Sequence, residues 1–325
     1  MNTIKKIGLT ALGTTLVASS AFAGEISVSG DAGYTWSSES IGGNAAASTT
    51  GAQSSDGVGY NHDISLSGSG ELDNGWTVAT GMTIVEDSSL SSSNVKLTMG
   101  SLGSITVGNG TGGIGASYDS VVPTAYEENH DGMKTTTAID SMGALLGNGG
   151  IDYRSPSIDL GGATASFKLN ITPEIGAAVG EGGVAAGHAT LASGQALGVD
   201  VAMAGLSVGA YGAERQNVTP VASGSDAVAD EFNGVWYAKY TMGPVSIGYS
   251  ETYADAGVTK ANESVNAAKT RRASGGIYTS ESMSIAFNVN DNMSISYTTS
   301  DETYDTQDDA LTAVSTDDDV TESID

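Results

Sequence analysis

Apolar residues recur at every second position along most of this chain, with small or polar residues between them. That is the period of a β-strand with one face buried. Ile26, Val28, Ala32, Tyr34 and Trp36 form the first such stripe. The alternation returns at Ile64, Leu66 and Leu72, at Trp76, Val78, Met82 and Ile84, at Val95, Leu97 and Met99, and at Ile105 and Val107. It continues at Ile151 and Tyr153, at Ala163, Ala165, Phe167, Leu169 and Ile171, at Leu197, Val199, Val201 and Met203, and at Leu206, Val208 and Ala210. Trp236, Ala238, Tyr240 and Met242, then Val245, Ile247, Tyr249 and Tyr253, then Met283, Ile285, Phe287 and Val289, and finally Met293, Ile295 and Tyr297 complete the series. About thirteen strands are expected, each with one apolar face and one wet face.

Periodicity alone does not separate a soluble sandwich from a membrane barrel, because both hide one face. Connection lengths do. Tight turns are expected at Asp73-Asn74-Gly75, 100–103, 156–162, Ala204-Gly205, Gly243-Pro244 and Asn290-Asp291-Asn292. Long loops alternate with them, at about 37–57, 86–92, 110–149, 172–194, 213–232, 254–271 and from about 300 onward. Short turns on one rim and long loops on the other are the asymmetry of outer-membrane barrels. Aromatic residues near strand ends, among them Tyr34, Trp36, Trp76, Trp236, Tyr237, Tyr249 and Tyr253, are expected to form interfacial girdles.

The N-terminus supplies the compartment. Lys5 and Lys6 precede an apolar run from Ile7 to Val17, and Ala21-Phe22-Ala23 places small residues at a cleavage site, so 1–23 reads as a signal peptide. Residues 24–325 read as one all-β domain, since no proline-rich or low-complexity linker divides them. The absence of cysteine excludes disulfides, thiolate metal sites and cysteine nucleophiles. A net charge of −26 opposes nucleic-acid binding, which relies on clustered Lys and Arg.

Three segments resemble the general porins of Gram-negative bacteria: Leu72-Asp73-Asn74-Gly75-Trp76, Gly103-Ser104-Ile105-Thr106-Val107-Gly108 with Tyr118-Asp119-Ser120 following, and Tyr153-Arg154-Ser155-Pro156. The resemblance implies a transmembrane antiparallel β-barrel of about sixteen strands. It also implies a homotrimer in the outer-membrane lipid, with a third loop at 110–149 folded into the lumen. Small hydrophilic solutes and ions would be its partners, with no cofactor and no catalysis. Two features depart from the family pattern. Asn109 stands where family members commonly carry Arg, and the second strand offers Asp63 and Glu71 rather than basic residues. The C-terminal run Asp317-Asp318-Asp319-Val320-Thr321-Glu322-Ser323-Ile324-Asp325 has the composition of a loop. The expectation is therefore of a barrel whose last strands are missing.

Selectivity in a water-filled pore comes from its width and wall charges. The acidic candidates for the constriction are Asp119, Glu127, Glu128, Asp131 and Asp140 in the third loop. Strand parity turns Lys96, Arg154 and Lys168 toward the lumen, with Asn109 at the end of the fifth strand. Acidic groups outnumber basic ones, so mild cation preference is expected.

Other chemistry finds little support. Gly205-Leu206-Ser207-Val208-Gly209 fits a nucleophile-elbow pattern, but Leu206 and Val208 continue a strand stripe. The stretch 108–113 fits G-x-G-x-x-G without an amphipathic helix after it. His62, His130 and His188 lack metal-ligand spacing. The alternative from another class is a secreted or surface-attached structural or adhesive β-protein, although no short fixed repeat is present.

Overall fold

The computed structural model describes residues 26–40, 42–43, 54–85, 89–109, 113–125, 135, 139, 149–173, 191–217, 231–255, 277–305 and 320–324. The expected signal peptide lies outside them. So do Glu127, Glu128, Asp131, Asp140, His130 and His188.

One antiparallel sheet of sixteen segments contains every strand described. In chain order these are β1 (Ile26–Ser40), β2 (Gly42–Gly43), β3 (Ser54–Glu71), β4 (Thr77–Ile84), β5 (Leu90–Thr98), β6 (Ser104–Asn109), β7 (Ile151–Arg154) and β8 (Ile158–Asp159). Then follow β9 (Thr164–Thr172), β10 (Leu191–Met203), β11 (Leu206–Asn217), β12 (Glu231–Met242), β13 (Val245–Asp255), β14 (Ile277–Asn290), β15 (Met293–Asp305) and β16 (Val320–Ile324). Neighbours in sequence pair in space, apart from the two-residue pieces β2 and β8. The path starts at β1, ends at β2, and these two ends are separated only by residue 41. The wall thus returns to the stretch of chain where it began, through the pairs Glu322↔Gly43 and Ser323↔Gly42. This is an antiparallel barrel sheet.

The thirteen stripes correspond to β1, β3 to β7 and β9 to β15. A fourteenth wall strand, β16, was not anticipated: Val320–Ile324 pairs with β15 from Ser300↔Ile324 to Tyr304↔Val320. Acidic composition suggested a loop there, yet a strand above the apolar band needs no apolar stripe. It needs only a ladder partner. For the same reason the real loops are shorter than expected. β1 runs to Ser40 and β3 starts at Ser54, and β11 runs to Asn217. Hydrogen bonding continues beyond the point where alternation fades.

The tight turns fall where expected. Leu72 N–H bonds the Trp76 carbonyl at 2.7 Å, and Gly75 N–H bonds the Leu72 carbonyl at 2.8 Å. Ala204 and Gly205 both take positive φ, 47° and 88°, as a two-residue hairpin turn of matching twist requires. The 156–162 turn carries the short β8, which pairs with β9.

The apolar stripe faces outward. Ile171, Leu197, Val199, Val201, Val208, Tyr240, Ile247, Met283, Ile285, Phe287 and Ile295 are all exposed. The opposite face of the same strands holds buried Asp152, Asn170, Asn233, Ser250, Ser280, Ser282, Thr298, Ser300 and Glu302. A sheet with its grease outside and its polar groups inside is inverted relative to a soluble domain, and hydrocarbon is the solvent that fits it. Among the described residues no helix is long and apolar enough to cross a membrane. Trp236, Tyr249 and Tyr253 stand on the outer face toward the long-loop rim, consistent with a girdle. Tyr237 does not. As the neighbour of Trp236 it points to the other face, where it packs on the interior cluster.

Candidate functional site

The apolar core of this protein lies inside the barrel. Ile114, Tyr118, Val121 and Ile139 from the third connection pack with Ala196 of β10, Tyr211 and Ala213 of β11 and Val235 of β12. Residues 113–125 therefore do not stand above the rim; they lie against the inner wall.

Tyr118 is the centre of the attachment. It belongs to a single helical turn, Ala116–Asp119, and is fully buried. Its hydroxyl donates to Asp200 Oδ2 at 2.8 Å, and the Tyr237 hydroxyl donates to Asp200 Oδ1 at 2.9 Å. Lys168 Nζ sits 2.9 Å from Asp200 Oδ2 and 4.2 Å from the centre of the Tyr118 ring. Tyr211 stacks on Tyr118, with ring centroids 5.1 Å apart and planes 20° apart. Burial first, then the hydrogen bond to Asp200, holds the Tyr118 phenol far above its ordinary value, so it remains a donor.

Two glycines make room. A Cβ on Gly198 would come within 2.3 Å of the Tyr118 hydroxyl, and one on Gly209 within 2.4 Å of the Tyr237 ring. Gly198 lies on β10 beside Lys168, and Gly209 on β11 beside Asp200. Further along, Pro123 fills the space over Gly248 of β13. Ala125 N–H then bonds Ser296 Oγ of β15 at 2.9 Å. Thr135 gives both its N–H and its hydroxyl to Glu302 Oε2, each at 2.6 Å.

Of the residues expected at the constriction, Arg154 and Lys168 are neighbours on β7 and β9. Both reach the docked segment, Arg154 through Ser117 Oγ at 3.2 Å and Lys168 through Tyr118. Asp119 ends the same helical turn with its Oδ1 buried. Lys96 stands apart on β5, exposed and opposite Thr106 of β6, and Asn109 closes β6 opposite Ser93. Asp31 of β1 and Asp63 of β3 face each other across their ladder.

Asp200, Tyr211, Glu302 and the glycine pair were not singled out from sequence, and Tyr237 was expected only as a girdle aromatic. Asp200 did carry a signal, as a carboxylate at the inward parity of the stripe Val199 and Val201. Among the described residues no group of His, Asp and Glu is arranged to hold a metal ion. His62 lies on the outer-face parity, stacked with Tyr60 at 6.3 Å. Ser207 sits within β11, paired with Ala202 and Lys239, rather than on a strand-to-helix turn.

No protein-family model and no curated protein matches the chain. Solved structures do. An anion-selective porin from Comamonas acidovorans is 15% identical over 86% of this chain and 80% of its own, with a TM-score of 0.47. OmpT, an outer membrane protein of Vibrio cholerae in trimer form, is 9% identical over 93% and 98%, with a TM-score of 0.45. A mutant porin of Rhodopseudomonas blastica is 10% identical over 92% and 98%, with a TM-score of 0.40. No residue role passes to this chain at such identities. From its own strand order and its outward apolar face, the chain is an antiparallel membrane β-barrel, the architecture of the porins it is similar to.

Proposed function

We propose that this protein is an outer-membrane porin, a water-filled channel for passive diffusion of ions and small hydrophilic solutes. One observation carries the reading: the inverted sheet turns its apolar stripe outward and mostly polar or small residues inward, while a segment of the third connection packs on the inward Tyr211 and Val235 of that inner face. Such a lumen is wet, and the docked segment narrows it without closing a hydrophobic plug across it.

Mild cation preference belongs to the same reading. Two inward cations are already neutralised: Lys168 pairs with Asp200, and Arg215 pairs with Glu231. The first hairpin places Asp31 beside Asp63, two like charges that favour a counter-ion between them and the solution. The assembly is a homotrimer in this reading. Its support is the outer face of the first hairpin, where Ile26, Val28, Tyr34, Trp36, Val58 and Tyr60 are 69–85% exposed, above every other large apolar residue described.

Purified protein refolded into a planar bilayer tests the proposal. Stepwise conductance in KCl, with a reversal potential of cationic sign under a salt gradient, is the expected result. Clear anion preference would remove the selectivity assignment. Folded, inserted protein that stays silent would favour a structural or adhesive barrel.

A further inference from the structure

We propose that Asp200 is the positioning residue for the third connection, and that its bonds to Tyr118 and Tyr237 set the width of the channel. The inference rests on the pore reading above and deepens it by saying which wall group holds the narrowing segment in place.

The geometry points to Asp200 because its one carboxylate serves three partners on three different elements. Tyr118 comes from the third connection, Tyr237 from β12 and Lys168 from β9, while Asp200 itself is on β10. That one carboxylate thereby links the docked segment to β9, β10 and β12. The surrounding surface is shaped for the same contact. Gly198 and Gly209 leave the wall without side chains under the two tyrosine rings, and Tyr211 closes the slot by stacking on Tyr118. Any side chain at position 198 displaces the Tyr118 hydroxyl from its 2.8 Å bond. The attachments at Gly248, Ser296 and Glu302 lie farther along the segment. They fix where it goes next, whereas Asp200 fixes how closely its first turn hugs the wall.

The assignment also changes the meaning of Lys168. Its charge is spent on Asp200 and on the Tyr118 ring, so it acts on the pore by holding the segment, not as a charge facing permeant ions. Arg154 bonds the neutral Ser117 hydroxyl instead.

The test is single-channel recording of the full chain as wild type, Tyr118→Phe, Asp200→Asn and the double variant, with Gly81→Ala as a control. A Cβ at Gly81 meets only ordinary contacts, the nearest at 3.6 Å from Asn94 Nδ2. Tyr118→Phe removes one hydroxyl and keeps the ring, so it folds even if Asp200→Asn does not. Both single variants are expected to change unitary conductance by roughly 1.5-fold and to raise open-channel noise. The double variant should match the larger single effect, because both break one latch. If wild type conducts and folded Tyr118→Phe shows unchanged conductance and noise, the positioning role is overturned while the pore stands. If folded, inserted wild type never conducts, the pore reading fails and this inference fails with it.

Discussion

The wall made by β1, β3 and β4 and the wall made by β10, β11 and β12 have the same outer face and opposite inner faces. Outside, both repeat apolar side chains every second residue. Inside, the first wall shows Ser65, Ser67, Asp31 and Asp63 to solvent, with a simple bond between Ser65 Oγ and Thr83 Oγ1 at 3.0 Å. The second wall buries Ala196, Tyr211, Ala213 and Val235 beneath the third connection and spaces its strands with glycine. The lesson is that lipid imposes one rule on every strand, whereas the lumen imposes none. The inner face can be left to water or be built into a miniature core, and that choice shapes a channel.

The largest effect expected in this comparison comes from violating the rule both walls share. Ile285→Arg puts a charge on the apolar band of β14 and should cost about 2–4 kcal/mol if that position is near the bilayer midplane. Ser65→Arg on the inner face should cost far less. Denaturant unfolding in lipid vesicles measures both, and equal losses would contradict the inside-out assignment.

Next comes overpacking of the covered wall. Gly209→Ala drives a methyl against the Tyr237 ring and to 2.6 Å from Asp200 Oδ1, for a loss of about 1–3 kcal/mol. Gly81→Ala, on the open wall, should change stability by well under that amount. Thermal unfolding in detergent would show whether the two walls differ as their spacings demand.

A smaller loss, on the order of 1–2 kcal/mol, is expected for Glu302→Gln. The variant keeps the shape but replaces charge-assisted acceptance of both Thr135 donors by a neutral carbonyl. Protease susceptibility of the third connection should rise with it. Smallest is Ser65→Ala, where loss of the bond to Thr83 should cost about 0.5–1 kcal/mol.

Alkaline pH separates the walls in another way. The Tyr118 phenol is raised by burial and by Asp200, so its contribution is fully present below its ordinary value of 10.0 and is lost only as pH rises through the higher folded value. Phenolate absorbance should show Tyr118 ionising after the exposed tyrosines. Subtracting a Tyr118→Phe titration isolates it, and an early ionisation would contradict the docked geometry.

Much of the barrel was legible because lipid is a uniform solvent. Leu197, Val199 and Val201 had to alternate with Gly198 and Asp200 whatever the lumen contained, so thirteen strands and the six tight turns could be read directly. The fourteenth strand could not, since Val320–Ile324 lies where alternation no longer has hydrocarbon to answer to. Parity also placed Lys96, Arg154 and Lys168 inside, but it gave no partners for them. Lys168 meets Asp200 across a strand register, 32 positions along the chain, that no local pattern encodes.

The sequence by itself therefore determined which face of each strand meets the membrane and which rim carries turns, because both follow from the period of two and from local turn chemistry. Tertiary structure decided what the inner face does. Only the register of β9 to β12 brings Lys168, Gly198, Asp200, Gly209 and Tyr237 under Tyr118, and a contact between a loop and a wall more than 80 residues away is fixed by that register rather than by any neighbouring residue.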